Sequence, residues 1–178
     1  SENTELGIRT VLANTTLQAT AFHNRLSDMI ASNATFDSLT NISRADISGL
    51  EFSASRSIAD WDAALSVTLM DHEDKSTGQP LLRRADEQAN LSLSRDFQQL
   101  SLQLDWLWVG ERADLDPVTF GRSTIDSYNK LDLVANWQFS ENLSAQLRVD
   151  NALDEDYEVV DGYNTLGRNG MLKLRYQF

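Results

Sequence analysis

The sequence lacks cysteine and any long hydrophobic run, and these two absences exclude several classes of protein. Without cysteine there is no disulfide framework and no thiolate metal site. No apolar run approaches the roughly 20 residues that a membrane-spanning helix needs, which excludes a helical membrane protein. The first residues show no basic start followed by an apolar core. The chain is therefore expected to be processed, a chosen segment, or a fragment of something longer.

Positive charge is also scarce, with 15 Lys and Arg against 27 Asp and Glu and a net charge of -12. A chain with a pI near 4.4 repels phosphates, so no nucleic-acid partner is expected. A mean hydropathy of -0.38 makes a soluble globular protein the default on composition alone. A membrane β-barrel fits as well, because each of its strands needs only about 10 alternating residues and its polar half lowers the average.

What the sequence does contain is alternation with the period of two that a β-strand requires. In the last eight residues, Leu172, Leu174, Tyr176 and Phe178 share one face, and Met171, Lys173, Arg175 and Gln177 share the other. A final strand of this kind that ends on Phe is typical of bacterial outer-membrane β-barrels. Similar alternation predicts about nine strands. They lie near residues 5–12, 17–21, 50–55, 61–69, 89–94, 100–108, 131–139, 143–150 and 171–178.

The connections between these strands alternate in length. Short turns are predicted near residues 13–14, 58–60, 97–99 and 140–142, and long polar connections near 26–41, 71–86, 111–127 and 151–168. Short turns at one end and long loops at the other are the layout of outer-membrane barrels. A soluble sandwich has no reason to sort its loops by length in this way.

Aromatic and charged residues are sorted too. One aromatic group adjoins the short turns or the C-terminus: Trp61, Phe97, Trp137, Phe139 and Phe178. A second group lies towards the long loops: Trp106, Trp108 and Tyr128. Two such belts fit a spanning barrel, and the alternative is ordinary core aromatics of a soluble β-protein.

The predicted inner face carries Glu5, Arg9, Glu51, Asp105, Arg148, Lys173 and Arg175. A small barrel must pair these charges, whereas a larger one leaves them in water.

Five segments resemble, in order, the C-terminal part of TonB-dependent outer-membrane receptors, and within them the cobalamin (vitamin B12) type. They are Phe22–Ile30 (a "DLI"-type loop start), Asn41–Glu51 ("N…A…GxE"), Pro80–Ala85 ("PLLRRA"), Val149–Glu158 ("NLFDKDYE") and Gly162–Arg168 ("GYxTxGR"). The resemblance implies a barrel of about 22 strands with an N-terminal plug domain and a TonB-contacting segment. No counterpart of the plug, of the TonB segment or of the family's calcium-binding loops is recognised here. Active transport and TonB coupling are therefore not expected of this chain alone.

Few residues could carry chemistry. His72 lies in Asp71–Asp74, which could hold a divalent cation through its oxygens, but a solvated acidic loop is the favoured alternative. The same two interpretations apply to Asp154–Asp156. His23 is far away in sequence, and no GxSxG, HExxH or phosphate-binding loop is present. We expect no catalytic residue, no cofactor and no metal site, and a protein that is not an enzyme; an outer-membrane protease or lipase is disfavoured.

The sequence predicts an all-β fold, a transmembrane antiparallel β-barrel of about 8–10 strands or the C-terminal strands of a 22-stranded barrel. Residues 1–178 are expected to form a single domain with no plug in the bacterial outer membrane, with lipid as a partner. The barrel-assembly machinery is expected to recognise the strand that ends at Phe178. An open sheet cannot remain alone in lipid. The chain is therefore part of a receptor, closes alone, or self-associates, and self-closure is the working model.

The predicted function is that of an outer-membrane barrel related to cobalamin-type receptors, contributing wall and loops for ligand uptake or forming a small passive pore. The alternatives are a structural or surface-interaction barrel without transport, and a fragment of a full receptor.

Overall fold

In the computed structural model, which describes residues 1–32 and 39–178, nine strands form one antiparallel sheet. These strands are β1 (Glu2–Leu12), β2 (Thr15–Ser32), β3 (Leu39–Ile58), β4 (Trp61–Asp74), β5 (Glu87–Phe97), β6 (Leu100–Val109), β9 (Tyr128–Gln138), β10 (Leu143–Asp150) and β13 (Asn169–Tyr176). Two further hairpins lie in the loops: β7 (Arg112–Leu115) with β8 (Arg122–Ile125), and β11 (Glu158–Val160) with β12 (Tyr163–Asn164). The predicted all-β fold, with about nine strands in the sheet, is confirmed.

The short connections lie at one end of the sheet, here called the short-turn end. Ala13 and Asn14 have φ of 47° and 62°, and Ala59 and Asp60 have φ of 47° and 69°. Positive φ at both central residues is the geometry of type I′ hairpins, whose twist matches that of the flanking strands. The predicted short turns therefore form, and the opposite end of the sheet, the long-loop end, receives the longer connections.

The prediction of a long connection at residues 26–41 is wrong for most of this stretch. β2 and β3 continue through most of it, since Leu26 pairs with Ala45 and Ser32 pairs with Leu39. Backbone hydrogen bonds extend a hairpin without needing an apolar face, so no regular alternation marks this stretch. Residues 33–38 lie outside the described part of the chain. The predicted connections at 111–127 and 151–168 likewise contain the two small hairpins.

One face of the sheet is apolar from strand to strand. A single row of paired residues crosses six strands: Leu17, Ala54, Leu65, Leu91, Trp106 and Leu131. Large side chains on this face are open to the surroundings, for example Leu172 at 66% and Leu174 at 68% exposure. Water does not favour so large a contiguous apolar surface, whereas hydrocarbon does. Among the described residues, no helix is long and apolar enough to cross a membrane.

The other face of the sheet is polar, and part of its charge is paired. Lys130 lies 2.9 Å from Asp132, and Arg148 lies 2.6 Å from Asp150. Lys173 and Arg175 instead line a cavity of about 580 Å³ near the short-turn end. The polar face is therefore partly paired and partly open to water, as in a wide barrel.

The sheet is open in the described part of the chain. β1 and β13 occupy its two ends, and every residue of both strands is exposed. The self-closed small barrel of the working model is therefore not the arrangement that the structure shows. Alternation of up and down strands explains this, because the first and ninth strands of such a sheet run in the same direction. Their pairing would be parallel in an otherwise antiparallel sheet.

Candidate ligand-binding site at the long-loop end

The long loops fold over the polar face and form a small core there. We call residues 75–86, 110–127 and 151–168 together the loop cap. Leu81 of this cap packs with Ala45 and Ile47 of β3, and three partly buried side chains surround them: Phe22, Leu26 and Met70. A second cluster joins Ala85, Val109 and Tyr128, flanked by Leu107 and Tyr157. The core thus lies between the loop cap and the long-loop ends of the strands.

The family-like "GxE" strand explains how the first cluster fits together. Ala45 is completely buried. A Cβ on Gly49 would lie 2.3 Å from the Leu69 carbonyl oxygen and 2.8 Å from the Phe22 ring. Only glycine leaves room for this close approach, because a strand position with a neighbouring backbone so near cannot hold a side chain.

His72 is buried beneath the loop cap, and both of its ring nitrogens make hydrogen bonds to it. The Leu81 N–H donates to Nδ1 at 3.1 Å, so the proton is assigned to Nε2, which lies 3.0 Å from the Arg84 carbonyl oxygen. Asp86 adds a contact at 3.1 Å. In Asp71–Asp74 successive side chains alternate between faces, so His72 and its neighbours do not converge. Across residues 1–32 and 39–178, no group of three or more metal-ligating side chains is found.

Asp114 joins three parts of the loop cap through one carboxylate. Its side chain is fully buried and accepts hydrogen bonds from Arg83 Nε at 2.8 Å and from the Asp161 N–H at 2.9 Å. The Leu115 N–H donates at 2.8 Å. Burial opposes ionisation, but the hydrogen bonds from Asp161, Arg83 and Leu115 outweigh it and lower the pKa of Asp114 below its usual value of 3.8. Asp114 is thus an anionic hub of the cap.

Arg112 is the buried cation beside this hub. Its guanidinium lies 5.5 Å from the centre of the Tyr128 ring and donates to the Glu158 carbonyl oxygen. Tyr128 in turn stacks on Tyr157 with ring centres 4.4 Å apart. A cation over a desolvated aromatic ring adds to the stability of the contact. The pair fixes hairpin β7–β8 against β9 and the start of β11.

A cavity of about 600 Å³ opens between the two small hairpins of the cap. Its wall mixes apolar, aromatic and polar side chains, among them Leu115, Phe120, Val159, Tyr163, Arg83 and Asp161. The hairpins touch beside it, since Gly162 has φ of 76° and a Cβ there would lie 2.6 Å from Pro117 Cγ. We call this space the inter-hairpin cavity. Such a concave, largely apolar surface with a few polar groups is typical of a ligand site.

The family model described as TonB dependent receptor-like, beta-barrel, matches residues 1–152 of the chain. The chain belongs to this family. This TonB-dependent receptor barrel is 29% identical to the vitamin B12 transporter BtuB of Vibrio cholerae serotype O1, over 100% of the chain and 30% of the relative. The BtuB of Vibrio vulnificus gives the same figures for identity and coverage.

Solved structures show the same fold for this TonB-dependent receptor barrel. The FpvAI–pyocin S2 complex matches with a TM-score of 0.79 at 22% identity, covering 99% of this chain and 27% of that one. The siderophore receptor PirA from Acinetobacter baumannii matches with a TM-score of 0.79 at 23% identity, over 99% and 31%. The family's relatives are transport receptors of the bacterial outer membrane. The predicted location is therefore confirmed, and the chain spans about a third of these relatives' length.

Three of the segments that carried the family resemblance of this TonB-dependent receptor barrel hold its loop cap together: Val149–Glu158, Gly162–Arg168 and Pro80–Ala85. In Asn151, the side-chain oxygen accepts from the Glu155 N–H at 3.0 Å and the side-chain nitrogen donates to the Glu155 carbonyl at 2.8 Å. Asp154 accepts from the Arg168 N–H at 2.8 Å and from its guanidinium at 3.2 Å, which lowers the pKa of Asp154. The beginning and end of the last loop are thus tied together.

Pro80–Ala85 fastens the neighbouring loop in the same way. The Arg83 N–H donates to the Ala113 carbonyl at 2.7 Å, and the Arg122 guanidinium donates to the Pro80 carbonyl at 2.7 Å. Each partner lies on hairpin β7–β8. The motif therefore brings loop 75–86 and the small hairpin into one unit.

No pattern in the sequence pointed to Asp114, Arg112 or the inter-hairpin cavity. Arg83 and Asp161 lie 31 and 47 residues from Asp114, so local spacing carries no sign of the hub. A polar residue between Ala113 and Leu115 was the available hint, since such a position in a short strand demands a partner. The structure does not bring His23 and His72 together, because one follows the apolar face and the other the polar face.

Proposed function

We propose that this chain forms wall and outer loops of an outer-membrane receptor that takes up a large solute. The observation that carries the proposal is the inter-hairpin cavity, held open at the long-loop end by a buried, hydrogen-bonded cap. Long loops of outer-membrane barrels face the outside of the cell. A solute arriving from outside therefore meets this cavity first.

The sheet edges support a share in a larger barrel. Because β1 and β13 run in the same direction, antiparallel closure requires an odd number of further strands between them. A barrel with more strands has a wider lumen, which suits the open, partly unpaired charge on the polar face. The narrow passive pore expected of a self-closed barrel has no such support.

A cobalamin is the first solute to test, because the two Vibrio relatives named above are vitamin B12 transporters. It is a large molecule with both polar and apolar surface, and the wall of the cavity offers both kinds of contact. Tyr163 is 66% exposed and can stack on a flat ligand. Part of such a solute would occupy the cavity, and the remainder would contact other loops.

The experiment measures binding of cyanocobalamin to outer membranes that carry the protein. Tyr163→Ala should weaken binding about tenfold, since losing an aromatic contact costs on the order of 1 kcal/mol or more. Leu153→Ala is the matched control, because Leu153 is exposed at 54% in the same loop but does not line the cavity. Equal binding by both variants and the unaltered protein would contradict a role for this cavity. Absence of binding for cobalamin and for ferric siderophores alike would contradict solute uptake.

A further inference from the structure

Arg95 is an unusual residue because it lies on the apolar face of the sheet. Its strand partners are Trp61 of β4 and Leu102 of β6. The guanidinium lies 5.7 Å from the centre of the Trp61 ring and 4.5 Å from that of the Phe97 ring. A cation in hydrocarbon is costly, whereas at the level of the lipid headgroups it is tolerated. Trp61 adjoins a short turn, where an aromatic belt marks that level.

The hydrogen-bonding capacity of Arg95 is not used up by the described residues. Its Nε is inaccessible to solvent and has no hydrogen-bond partner among them. Its terminal nitrogen lies 3.5 Å from the Asp60 carboxylate, which is 83% exposed. A pair this long with so exposed a partner contributes little to stability. The aromatic rings thus hold in place a guanidinium whose terminal N–H groups, apart from the long contact to Asp60, remain available for an anion.

An apolar groove starts at the same tryptophan. It has a volume of about 400 Å³ and runs from Trp61 across β5, β6 and β9 to Leu147 and Val149 of β10. Ala135 lies in the row of Arg95 and Leu102, and its small side chain leaves the depression between the larger neighbours. The cationic group and the groove are therefore continuous through Trp61.

We propose that Arg95 and this groove bind one glycerophospholipid of the periplasmic leaflet. The phosphate accepts hydrogen bonds from the guanidinium, and one acyl chain lies in the groove along Leu102 and Ala135. Arginine presents parallel N–H donors that match a phosphate. We therefore expect the guanidinium–phosphate pair to be stronger than the long contact between Arg95 and Asp60. The short-turn end faces the periplasm in outer-membrane barrels, which selects the leaflet. This site is independent of the solute cavity at the opposite end.

The test uses native mass spectrometry on the protein extracted from outer membranes in a mild detergent, stripped of lipid and titrated with dioleoyl phosphatidylglycerol. Arg95→Gln should reduce the affinity for the lipid about tenfold, as expected for the loss of charge-assisted hydrogen bonds. Ala135→Phe should reduce it as well, because the ring fills the groove and leaves the charge unchanged. Arg175→Gln is the matched control, because it removes the same charge from the polar face.

We expect Arg95→Gln and Ala135→Phe to lose affinity for the lipid, while Arg175→Gln binds it like the unaltered protein. It would be overturned by normal binding in Arg95→Gln, by an equal loss in Arg175→Gln, or by displacement of the phospholipid by lipopolysaccharide at equal concentration. If Arg95→Gln does not assemble, Ala135→Phe decides. Unchanged binding in that variant would then reject the groove.

Discussion

Single polar residues hold the loop cap in its folded form. His72, Arg112, Asp114 and Asn151 are buried, and each is hydrogen-bonded to a backbone group. A buried donor or acceptor that loses its partner costs about 1–3 kcal/mol. The small apolar clusters of the cap cannot compensate for several such losses, so its order depends on these pairs.

Asp114→Asn should therefore open the cap. An amide cannot accept hydrogen bonds at both of its polar atoms, so either Arg83 or the Asp161 N–H loses its partner. We expect the free energy of local opening to fall by about 1–3 kcal/mol. Hydrogen exchange at the amides of Leu115 and Asp161 measures it. Asp126→Asn, at an exposed position of the same loop, is the control, and similar exchange in both variants would contradict the role of Asp114.

Acid should open the cap for the same reason. The folded pKa of Asp114 lies below 3.8, so its contribution to stability is complete well above that value and is lost as the pH falls through the folded pKa. We expect the near-ultraviolet circular dichroism of the Tyr128–Tyr157 stack to stay constant above about pH 5 and to decline below about pH 4. Asp114→Asn should show a smaller decline. An identical acid profile in the variant would assign the transition to other groups.

At the scale of elements, the long strands could be predicted from the sequence and the short ones could not. β6 and β9 show period-two alternation over most of their length because one face meets hydrocarbon. β11 has three residues and β12 has two, too few to display a period. The extension of β2 and β3 was missed because alternation is required only where one face is apolar. Contacts of the cap join distant loops, which no local pattern specifies.

The contact between the two small hairpins is a second prediction at this scale. Gly162→Ala should destabilise the docking of β11–β12 on β7–β8 by about 1–3 kcal/mol, because the new Cβ meets Pro117 and positive φ disfavours alanine. Faster hydrogen exchange in both hairpins would report it. Gly121→Ala is the control, since its Cβ would lie 3.4 Å from Thr119 Oγ1. A Pro117→Ala, Gly162→Ala double variant should recover part of the loss, and no recovery would exclude the steric explanation.

At the scale of the whole molecule, the two faces of the sheet contact two different solvents: the apolar face meets hydrocarbon and the polar face meets water. Leu65→Arg places a charge on the apolar face and should cost about 2–4 kcal/mol near the middle of the bilayer. Ser66→Arg, one residue along the same strand, points to the polar face and should be tolerated. Unfolding of the two variants by urea in lipid vesicles, followed by the heat-dependent gel shift of the folded protein, compares their free energies of unfolding. Equal losses would contradict the assignment of the faces.

In the part of the chain that the structure describes, every buried apolar residue lies near the long-loop end. The two ends of the molecule should therefore respond differently to heat. Opening the cap transfers protein-buried apolar surface into water, which raises the heat capacity and makes cap stability curved in temperature. The apolar face of the wall contacts hydrocarbon rather than other side chains, and its strands hold each other by backbone hydrogen bonds. A calorimetric scan should thus show two separate transitions. The smaller one, opening of the cap, should come at a lower temperature than unfolding of the nine-stranded sheet.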